Sequence, residues 1–357
     1  MSRVGKGVNQ VVLSDQVALF DEVFLFDQDA LSDQVALSDQ VVLSDQVVLA
    51  RQAVRAGDRA PETAGRDLVR EFVHRRNPAE VLLADWEHDG EHRLRCRADW
   101  PRAHRFYTPS GGRHDALLVV ETLRQAGLLA AHVGCGVPVG HSFLMDRLTC
   151  AVEDPSGLAG AGGPADVRLV VDITEVRGRR GRVADLRVDV VFRRDGLRFA
   201  AGSGWMRCLP PSLYQRVRWS GERAEGGPAV VPPPVDPRVV GRAAVEDVVL
   251  GEPDRAGRFP LRVDTAHPVL FDHPLDHVPG MLVFEAMRQA GRVVLGGPDA
   301  PVFGCSADFP RFVELDQRCL VEAEVSARPS PSAAQVSVRL VQAGEVRARG
   351  TIMLGVR

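Results

Sequence analysis

Lysine is almost absent from this sequence: Lys6 is the only one, although lysine and arginine together number 44. Schiff-base chemistry therefore has no candidate in the body of the chain, and arginine must supply any anion binding. No apolar run approaches the roughly 20 residues of a membrane span, and acidic residues interrupt the N-terminal segment where a signal peptide would be apolar. These absences predict a cytoplasmic protein with no membrane partner.

Cysteine pairs, positive charge and a nucleophile motif are missing as well. The six cysteines include no C-x-x-C pair, which argues against both a metal site and a disulfide framework. A formal net charge of -3 provides no positive field to gather phosphates, so we expect no nucleic-acid partner. No G-x-S-x-G motif occurs, and a covalent acyl-enzyme is therefore not the expected intermediate. We expect no cofactor.

A six-residue unit of the type VVLSDQ repeats through residues 11–52. On a helix this period scatters the apolar positions over separate stripes, so that no single face can be buried. We therefore predict that residues 1–66 form a low-complexity extension, disordered or loosely packed.

A second, subtler repeat relates residues 67–220 to residues 241–357. Each half contains a strand pair, then a long apolar helix, ALLVVETLRQAGLLAAH or MLVFEAMRQAGRVVL, and then alternating strands with a hairpin turn. The hairpin glycines Gly196 and Gly344 correspond, as do Gly202 and Gly350. This pattern predicts an α+β fold in which each helix packs against an antiparallel sheet. The Pro/Gly-rich residues 221–240 predict an extended linker outside any core.

Each apolar helix carries a glutamate at its centre, Glu121 or Glu285, within the shared motif E-[TA]-[LM]-R-Q-A-G. The arginine and glutamine of this motif fall on the same helix face as the glutamate; they are Arg124 and Gln125 in the first half and Arg288 and Gln289 in the second. Burial tends to raise the pKa of a carboxyl group toward the range useful for proton transfer. We therefore predict that both glutamates are catalytic. The alternative is that each Glu–Arg pair only orients its helix on the sheet.

The stretch HPVLFDHPLDHVPG, ahead of the second helix, has the densest set of chemistry-bearing residues. Gly280 begins the helix, whose free N–H groups would polarise a thioester carbonyl as an oxyanion hole. His273 is a candidate acid or base near neutral pH, unless it only bonds a backbone carbonyl in the loop. In the first half, Asp115 stands at the helix start and is predicted to be an N-cap.

Several segments of this sequence resemble the AfsA-like family of A-factor, or γ-butyrolactone, synthases. They are EVLLADW, ADWPRAHRFYTP, LLVVETLRQAG and VPVGHSF in the first half, and HPVLFDHPLDHVPGMLVFEAMRQAG in the second. The resemblance implies a tandem double hotdog that transfers a β-ketoacyl group from acyl carrier protein to the hydroxyl of dihydroxyacetone phosphate. The ester would then cyclise toward a butenolide. The family's important acids would be Glu121 and Glu285, and its important arginine Arg288, with Arg124 as the matching residue.

The second half also resembles β-hydroxyacyl carrier-protein dehydratases, whose loop histidine and helix acid would fall on His273 and Glu285. This sequence departs from that pattern because the loop between them is shorter. The first half also has Thr108 and Pro109 where a matching histidine would be expected.

The favoured hypothesis is an acyltransferase in which amides near Gly280 hold the thioester oxygen and a buried glutamate takes the proton of the incoming hydroxyl. The side chains expected to contact substrate are Arg124, Arg288, Gln125 and Gln289. Two alternatives stay open: a dehydratase or thioesterase on the same thioester, and a non-catalytic module that binds an acyl chain or a lactone. The sequence also leaves open which half holds the site and whether the chain forms a homodimer.

Overall fold

The computed structural model describes residues 68–108, 110–160, 163–179, 182–219 and 230–356. The predicted low-complexity extension, residues 1–66, lies outside the described residues, and so do residues 221–229 of the predicted linker. None of the helices within the described ranges is long and apolar enough to cross a membrane.

Two buried α-helices occupy the positions that the sequence predicts. They are α1, Leu117–Leu129, which continues into a π-helical turn at Ala130–Gly134, and α3, Gly280–Leu295; a shorter helix, α2, spans Pro211–Trp219. Because α1 and α3 carry apolar residues on most of their circumference, both must be enclosed by other elements. Short 3₁₀ turns lie at Pro78–Glu80, Pro155–Leu158, Pro237–Val240 and Val245–Asp247.

An antiparallel sheet of 11 strands encloses these helices. The first half contributes β1 (Leu83–His88), β2 (Arg93–Trp100), β3 (Ser142–Val152), β4 (Ala165–Arg179), β5 (Arg182–Arg194) and β6 (Leu197–Leu209). The second half contributes β7 (Phe259–Pro260), β8 (Val302–Asp308), β9 (Cys319–Ser330), β10 (Ala333–Gln342) and β11 (Glu345–Gly355). The strand order is β1-β2-β4-β5-β6-β3-β8-β11-β10-β9-β7, so β3 and β8 join the halves.

The joint between the halves is a continuous ladder. Cys150 of β3 lies opposite Cys305 of β8, and their sulfur atoms are 3.6 Å apart. Arg147 and Asp308 form an ion pair across the same strands. The predicted tandem double hotdog, with one helix against each half of an antiparallel sheet, is therefore confirmed.

The corresponding glycines explain how the helices approach the sheet so closely. A Cβ atom on Gly202 would lie 2.7 Å from Leu123 of α1, and one on Gly350 would lie 2.9 Å from Met287 of α3. The Cβ atoms would lie even closer to carbonyl oxygens of the neighbouring strands, 2.5 Å from Thr149 and 2.0 Å from Ser306, so either substitution would disturb the sheet as well as the helix packing. Gly196 and Gly344 have φ of 78° and form the hairpin turns, as predicted.

The end of the predicted linker differs from the expectation. Residues 230–236 are mostly extended, but Val235 and Val240 are buried, Val240 completely. The 3₁₀ turn Pro237–Val240 packs on α3. The prediction that residues 221–240 lie outside any core is therefore wrong for this part, because two valines among the prolines supply apolar surface that the second half buries.

Candidate functional site

Glu121 is the centre of a buried cluster of charged and polar groups on α1. Its Oε1 accepts hydrogen bonds from Arg75, at 2.8 Å from Nη2, and from Gln125, at 2.6 Å. Arg124 donates to both carboxylate oxygens, at 2.8 and 2.9 Å. Gln125 in turn accepts from the Leu82 amide at 2.9 Å, which ties the cluster to the segment entering β1. The Glu121 side chain is 1% exposed.

Glu285 is the centre of a matching cluster on α3. Its carboxylate accepts from Arg242, at 2.9 Å from Nε, and from Arg288 and Gln289. Gln289 accepts from the Val249 amide at 3.0 Å, as Gln125 does in the first half. The two clusters thus repeat one design: a helix glutamate held by an arginine three residues later, a glutamine four residues later, and an arginine that precedes the first strand of its half.

The charge state of Glu121 differs from the expectation for a buried acid. Burial by itself raises the pKa of this carboxyl group, but the adjacent Arg124 and Arg75 guanidinium groups and the hydrogen bond from Gln125 bring it down to about 2. The prediction of a raised pKa is therefore wrong for Glu121. A carboxylate that is saturated with donors and ionised at every physiological pH is poorly suited to accept a proton.

A cavity of about 760 Å³ lies between the halves, next to the Glu121 cluster. Of the residues predicted to form the site, His273, Arg124 and Gly280 line it, whereas Glu121, Glu285, Arg288, Gln125 and Gln289 do not. The cavity wall also includes His74 and Arg75, and much of the rest is apolar: Leu128, Leu144, Met145, Leu148, Met206, Val283, Phe284 and Phe309. The cavity therefore joins a cationic end to a surface suited to an alkyl chain.

The site is assembled crosswise from the two halves. His273 belongs to the second half, but the cavity that it lines contains Arg75 and Arg124 of the first half. Asp272, its neighbour, accepts hydrogen bonds from the amides of Arg76 and Asn77. The dehydratase resemblance pairs His273 with Glu285, but Glu285 does not line this cavity, and the arginines near His273 are Arg75 and Arg124, which bind Glu121.

The N-terminus of α3 opens at the same cavity. Pro279 is the N-cap, with no side-chain hydrogen bond to the helix, and its carbonyl accepts from the amides of Leu282 and Val283 at 3.0 and 3.3 Å. Within the described part of the chain no partner occupies the Gly280 and Met281 amides, so these donors remain for a ligand oxygen.

Arg124 and Arg288 occupy equivalent positions but differ in accessibility. Arg288 bonds Asp115 at 2.6 Å as well as Glu285, and its side chain is 4% exposed. Asp115 also caps α1 by accepting from the Leu117 amide at 2.9 Å, as predicted. The residue that matches Asp115 in the second half is Pro279, which provides no carboxylate. Within the described part of the chain Arg124 therefore pairs with no second acid, and its side chain is 21% exposed toward the cavity.

The sequence motifs did not point to Arg75, Arg242 or His104, or to the buried role of His267. His104 accepts from the amides of Phe106 and Tyr107, and His267 from those of Val269 and Leu270, so each closes an equivalent turn. Arg242 donates to the Phe106 carbonyl of the opposite half at 2.6 Å, and Arg75 donates to the Val269 carbonyl at 3.3 Å. The sequence does contain one indication that Arg75 and Arg242 are equivalent. Each is followed, five residues later, by an acidic residue, Glu80 after Arg75 and Asp247 after Arg242.

Comparison with known proteins gives a consistent picture. The family model described as the A-factor biosynthesis hotdog domain matches residues 57–210 and 226–356. A 2-oxo-3-(phosphooxy)propyl 3-oxoalkanoate synthase of Streptomyces virginiae is 41% identical over 269 residues, which cover 74% of this chain and 88% of the relative. A synthase of the same name from Streptomyces griseus is 37% identical over 279 residues, covering 77% and 91%.

Solved structures with a similar fold have low sequence identity. An acyl-ACP thioesterase from Bacteroides thetaiotaomicron is 12% identical with a TM-score of 0.44, and the match covers 73% of this chain and 97% of that one. A MaoC-like dehydratase is 16% identical with a TM-score of 0.42, covering 82% and 94%.

Proposed function

Because this chain belongs to the A-factor biosynthesis hotdog family, we propose that it is a 2-oxo-3-(phosphooxy)propyl 3-oxoalkanoate synthase. The reaction joins a β-ketoacyl group to the hydroxyl of dihydroxyacetone phosphate and releases the thiol that carried the acyl group. The cavity between the halves is the observation that best supports this site. It combines an apolar wall, an exposed helix N-terminus and an arginine with a free donor.

The acyl donor is a β-ketoacyl thioester, and we propose acyl carrier protein as its carrier. Its alkyl chain would lie on the apolar wall, which includes Leu144, Met206 and Phe284. The thioester oxygen would then meet the Gly280 and Met281 amides at the start of α3. These donors, and the positive end of the helix dipole, stabilise the negative charge that develops on this oxygen as the hydroxyl attacks.

The acceptor's phosphate would bind at the cationic end of the cavity. Arg124 uses Nε and Nη2 for Glu121 and for the Val73 carbonyl. Within the described ranges its Nη1 donates to no protein group, so it is the donor left for an anion. Glu121 thus acts as a positioning residue, because its carboxylate fixes the plane of the guanidinium group.

The activity is tested with the full chain, a 3-oxoacyl thioester of acyl carrier protein, and dihydroxyacetone phosphate, with products weighed by mass spectrometry. We expect a phosphate-containing ester that forms only when the acceptor is present. Free 3-oxo acid as the main product would indicate a thioesterase, and no turnover would indicate a binding module. Either result would overturn the proposal.

Replacing Arg124 by methionine should raise KM for dihydroxyacetone phosphate by about 10- to 100-fold, because a hydrogen bond to a charged group contributes about 1.5–3 kcal/mol. Saturation kinetics with dihydroxyacetone as a second acceptor isolate the phosphate contribution, since this compound lacks the anion. Arg168→Met on β4 is a suitable control because Arg168 is 63% exposed and pairs only with Asp166 in the described structure. An equal loss with both acceptors would contradict phosphate binding by Arg124.

A further inference from the structure

Met206 of β6 belongs to the closed side of the cavity. It lines the cavity, yet only 2% of the residue is exposed, and the same holds for Leu128 of α1 and Leu148 of β3, which are also buried. Val217 and Arg311 line the cavity too, but they are 40% and 58% exposed. The cavity therefore opens to solvent on one side and ends in the apolar core on the other.

The tip of the Met206 side chain extends beyond the cavity wall into a space that two glycines leave free. A Cβ atom on Gly127 of α1 would lie 2.6 Å from Met206 Cε, and one on Gly204 of β6 would lie 4.0 Å from it. The other side chain near both positions is Val188, at 3.5 and 3.7 Å. Neither glycine lines the cavity, and Val188 does not either. The Met206 side chain therefore separates the cavity from this space beneath α1.

The second half fills the matching space differently. Ile352 and Leu354 of β11 correspond to Gly204 and Met206, counted from the matching glycines of the two strands. A Cβ atom on Gly291 of α3 would lie 2.7 Å from Leu354 Cδ1 and 3.2 Å from Ile352 Cγ2. Two branched side chains thus fill this space in the second half, where the first half has a glycine and one unbranched, flexible side chain. A change at Met206 therefore alters the depth of the first-half cavity directly.

The cavity wall leads from the start of α3 to Met206. Phe309, which follows β8, lies 3.6 Å from the position of a Cβ atom on Gly280, and its amide donates to the Asp146 carbonyl of β3 at 2.9 Å. Met145, beside Asp146, lies opposite Met206 in the pairing of β3 with β6. The strand order β8-β3-β6 makes this span two strand spacings, about 9–10 Å. Phe309, Met145 and Met206 all line the cavity.

We propose that Met206 is the end wall for the acyl chain and so sets the longest chain that the site accepts, an inference that rests on the proposed function. With the thioester oxygen at the Gly280 amide, the alkyl chain would extend along Phe309 and Met145 and end against the Met206 side chain. A longer chain would have to displace Met206, whose tip is already in contact with α1. Chain-length selectivity would thus depend on one side chain of the first half.

The test compares 3-oxoacyl thioesters of acyl carrier protein, from 3-oxohexanoyl to 3-oxohexadecanoyl, with dihydroxyacetone phosphate as acceptor. Each additional buried methylene group changes binding by about fourfold. Met206→Ala removes Cγ, Sδ and Cε, so kcat/KM for a thioester about two carbons longer than the parent's best substrate should rise about 10- to 20-fold relative to that substrate. Met206→Phe should move the preference in the opposite direction, because its extra volume must enter the cavity.

Two further variants separate an end wall from a general loosening of the core. Met287→Ala is the matched control: Met287 is equally buried, lies in α3 and does not line the cavity, so its loss should leave the chain-length preference unchanged. Gly204→Ala, added to Met206→Ala, should move the preference back toward shorter chains, because its methyl group enters the opened space. Met206→Leu, a substitution that cores tolerate well, should give a smaller shift than alanine and serves if the alanine variant does not fold.

The parent enzyme is assayed first, so absence of ester with every thioester rejects the proposed function itself. If the parent forms ester and the Met206 variants keep its chain-length preference, the end-wall role is rejected. An equal shift for Met287→Ala would also reject it, since the preference would then follow core stability and not the length of the cavity. Opposite shifts for the alanine and phenylalanine variants are the expected result.

Discussion

Replacing Gly280 by proline is expected to lower kcat by about 100- to 1,000-fold, the usual effect of removing one donor from an oxyanion hole. The substitution deletes a single N–H group at the first residue of α3. Proline is well tolerated at this helix position, because its fixed φ suits the helix and the missing N–H has no partner within the helix. Pro279 already has φ of -68° and ψ of 146°, a conformation that suits a residue before proline.

Gly280→Ala provides the control, because it keeps the N–H group and adds only a methyl group. A Cβ atom at this position would lie 3.6 Å from Phe309, an ordinary contact distance. We expect the alanine variant to keep kcat within about fivefold, the amide donor being retained. Circular dichroism and steady-state kinetics should be compared for both variants. If proline and alanine reduce kcat equally, the effect is steric and the Gly280 amide is not an oxyanion donor.

The sequence allowed the fold to be predicted because its signals are local and occur twice. The helices follow from long, mostly apolar runs, and the hairpins from Gly196 and Gly344, so each half supports the assignment of the other. The burial of Glu121 and Glu285 was predictable for the same reason, since no solvated face exists on α1 or α3. The low pKa of Glu121 was not predictable. It depends in part on Arg75, which lies more than forty residues away in the chain.

A site that combines Glu121 with residues of the second half was one arrangement that the double-hotdog resemblance left open, but the motifs did not select it. Motif spacing places His273 and Glu285 close together in sequence, and so suggests one site within the second half. The sheet joins the halves through β3 and β8, and this pairing brings the loop of one half to the helix of the other.

The two clusters share one design, but a single position separates their roles. Asp115 supplies a second carboxylate to Arg288, and the equivalent Pro279 supplies none to Arg124. The second-half cluster is therefore enclosed, with Arg288 between acids from both halves, although Arg288 Nε has no hydrogen-bond partner among the described residues. The first-half cluster keeps an arginine donor for the cavity. This difference explains why only the first-half cluster contributes to the candidate site. It also implies that Glu121 and Glu285 matter for different reasons.

Glu285→Gln is therefore expected to destabilise the protein by about 3–5 kcal/mol, because it leaves Arg242 and Arg288 buried with Asp115 as their remaining carboxylate. Both guanidinium groups are almost fully enclosed, with side chains 3% and 4% exposed, so water cannot replace the lost charge. Urea-induced unfolding followed by fluorescence measures the change in free energy. Asp166→Asn, which removes an exposed ion pair with Arg168, should cost less than about 1 kcal/mol and serves as the control.

Glu121→Gln should reduce both stability and activity. Arg124 is partly exposed and is able to turn toward the cavity, where water solvates its charge, but Arg75 is 7% exposed and loses the carboxylate with which it pairs in the described structure, so the loss of stability should be comparable to that of Glu285→Gln. The activity of the folded fraction should fall more, since the guanidinium group no longer has a fixed plane for the acceptor phosphate. If the Glu285→Gln variant has the same urea midpoint of unfolding as the parent protein but loses turnover, Glu285 acts in the chemistry. The division between a structural and a functional cluster would then be wrong.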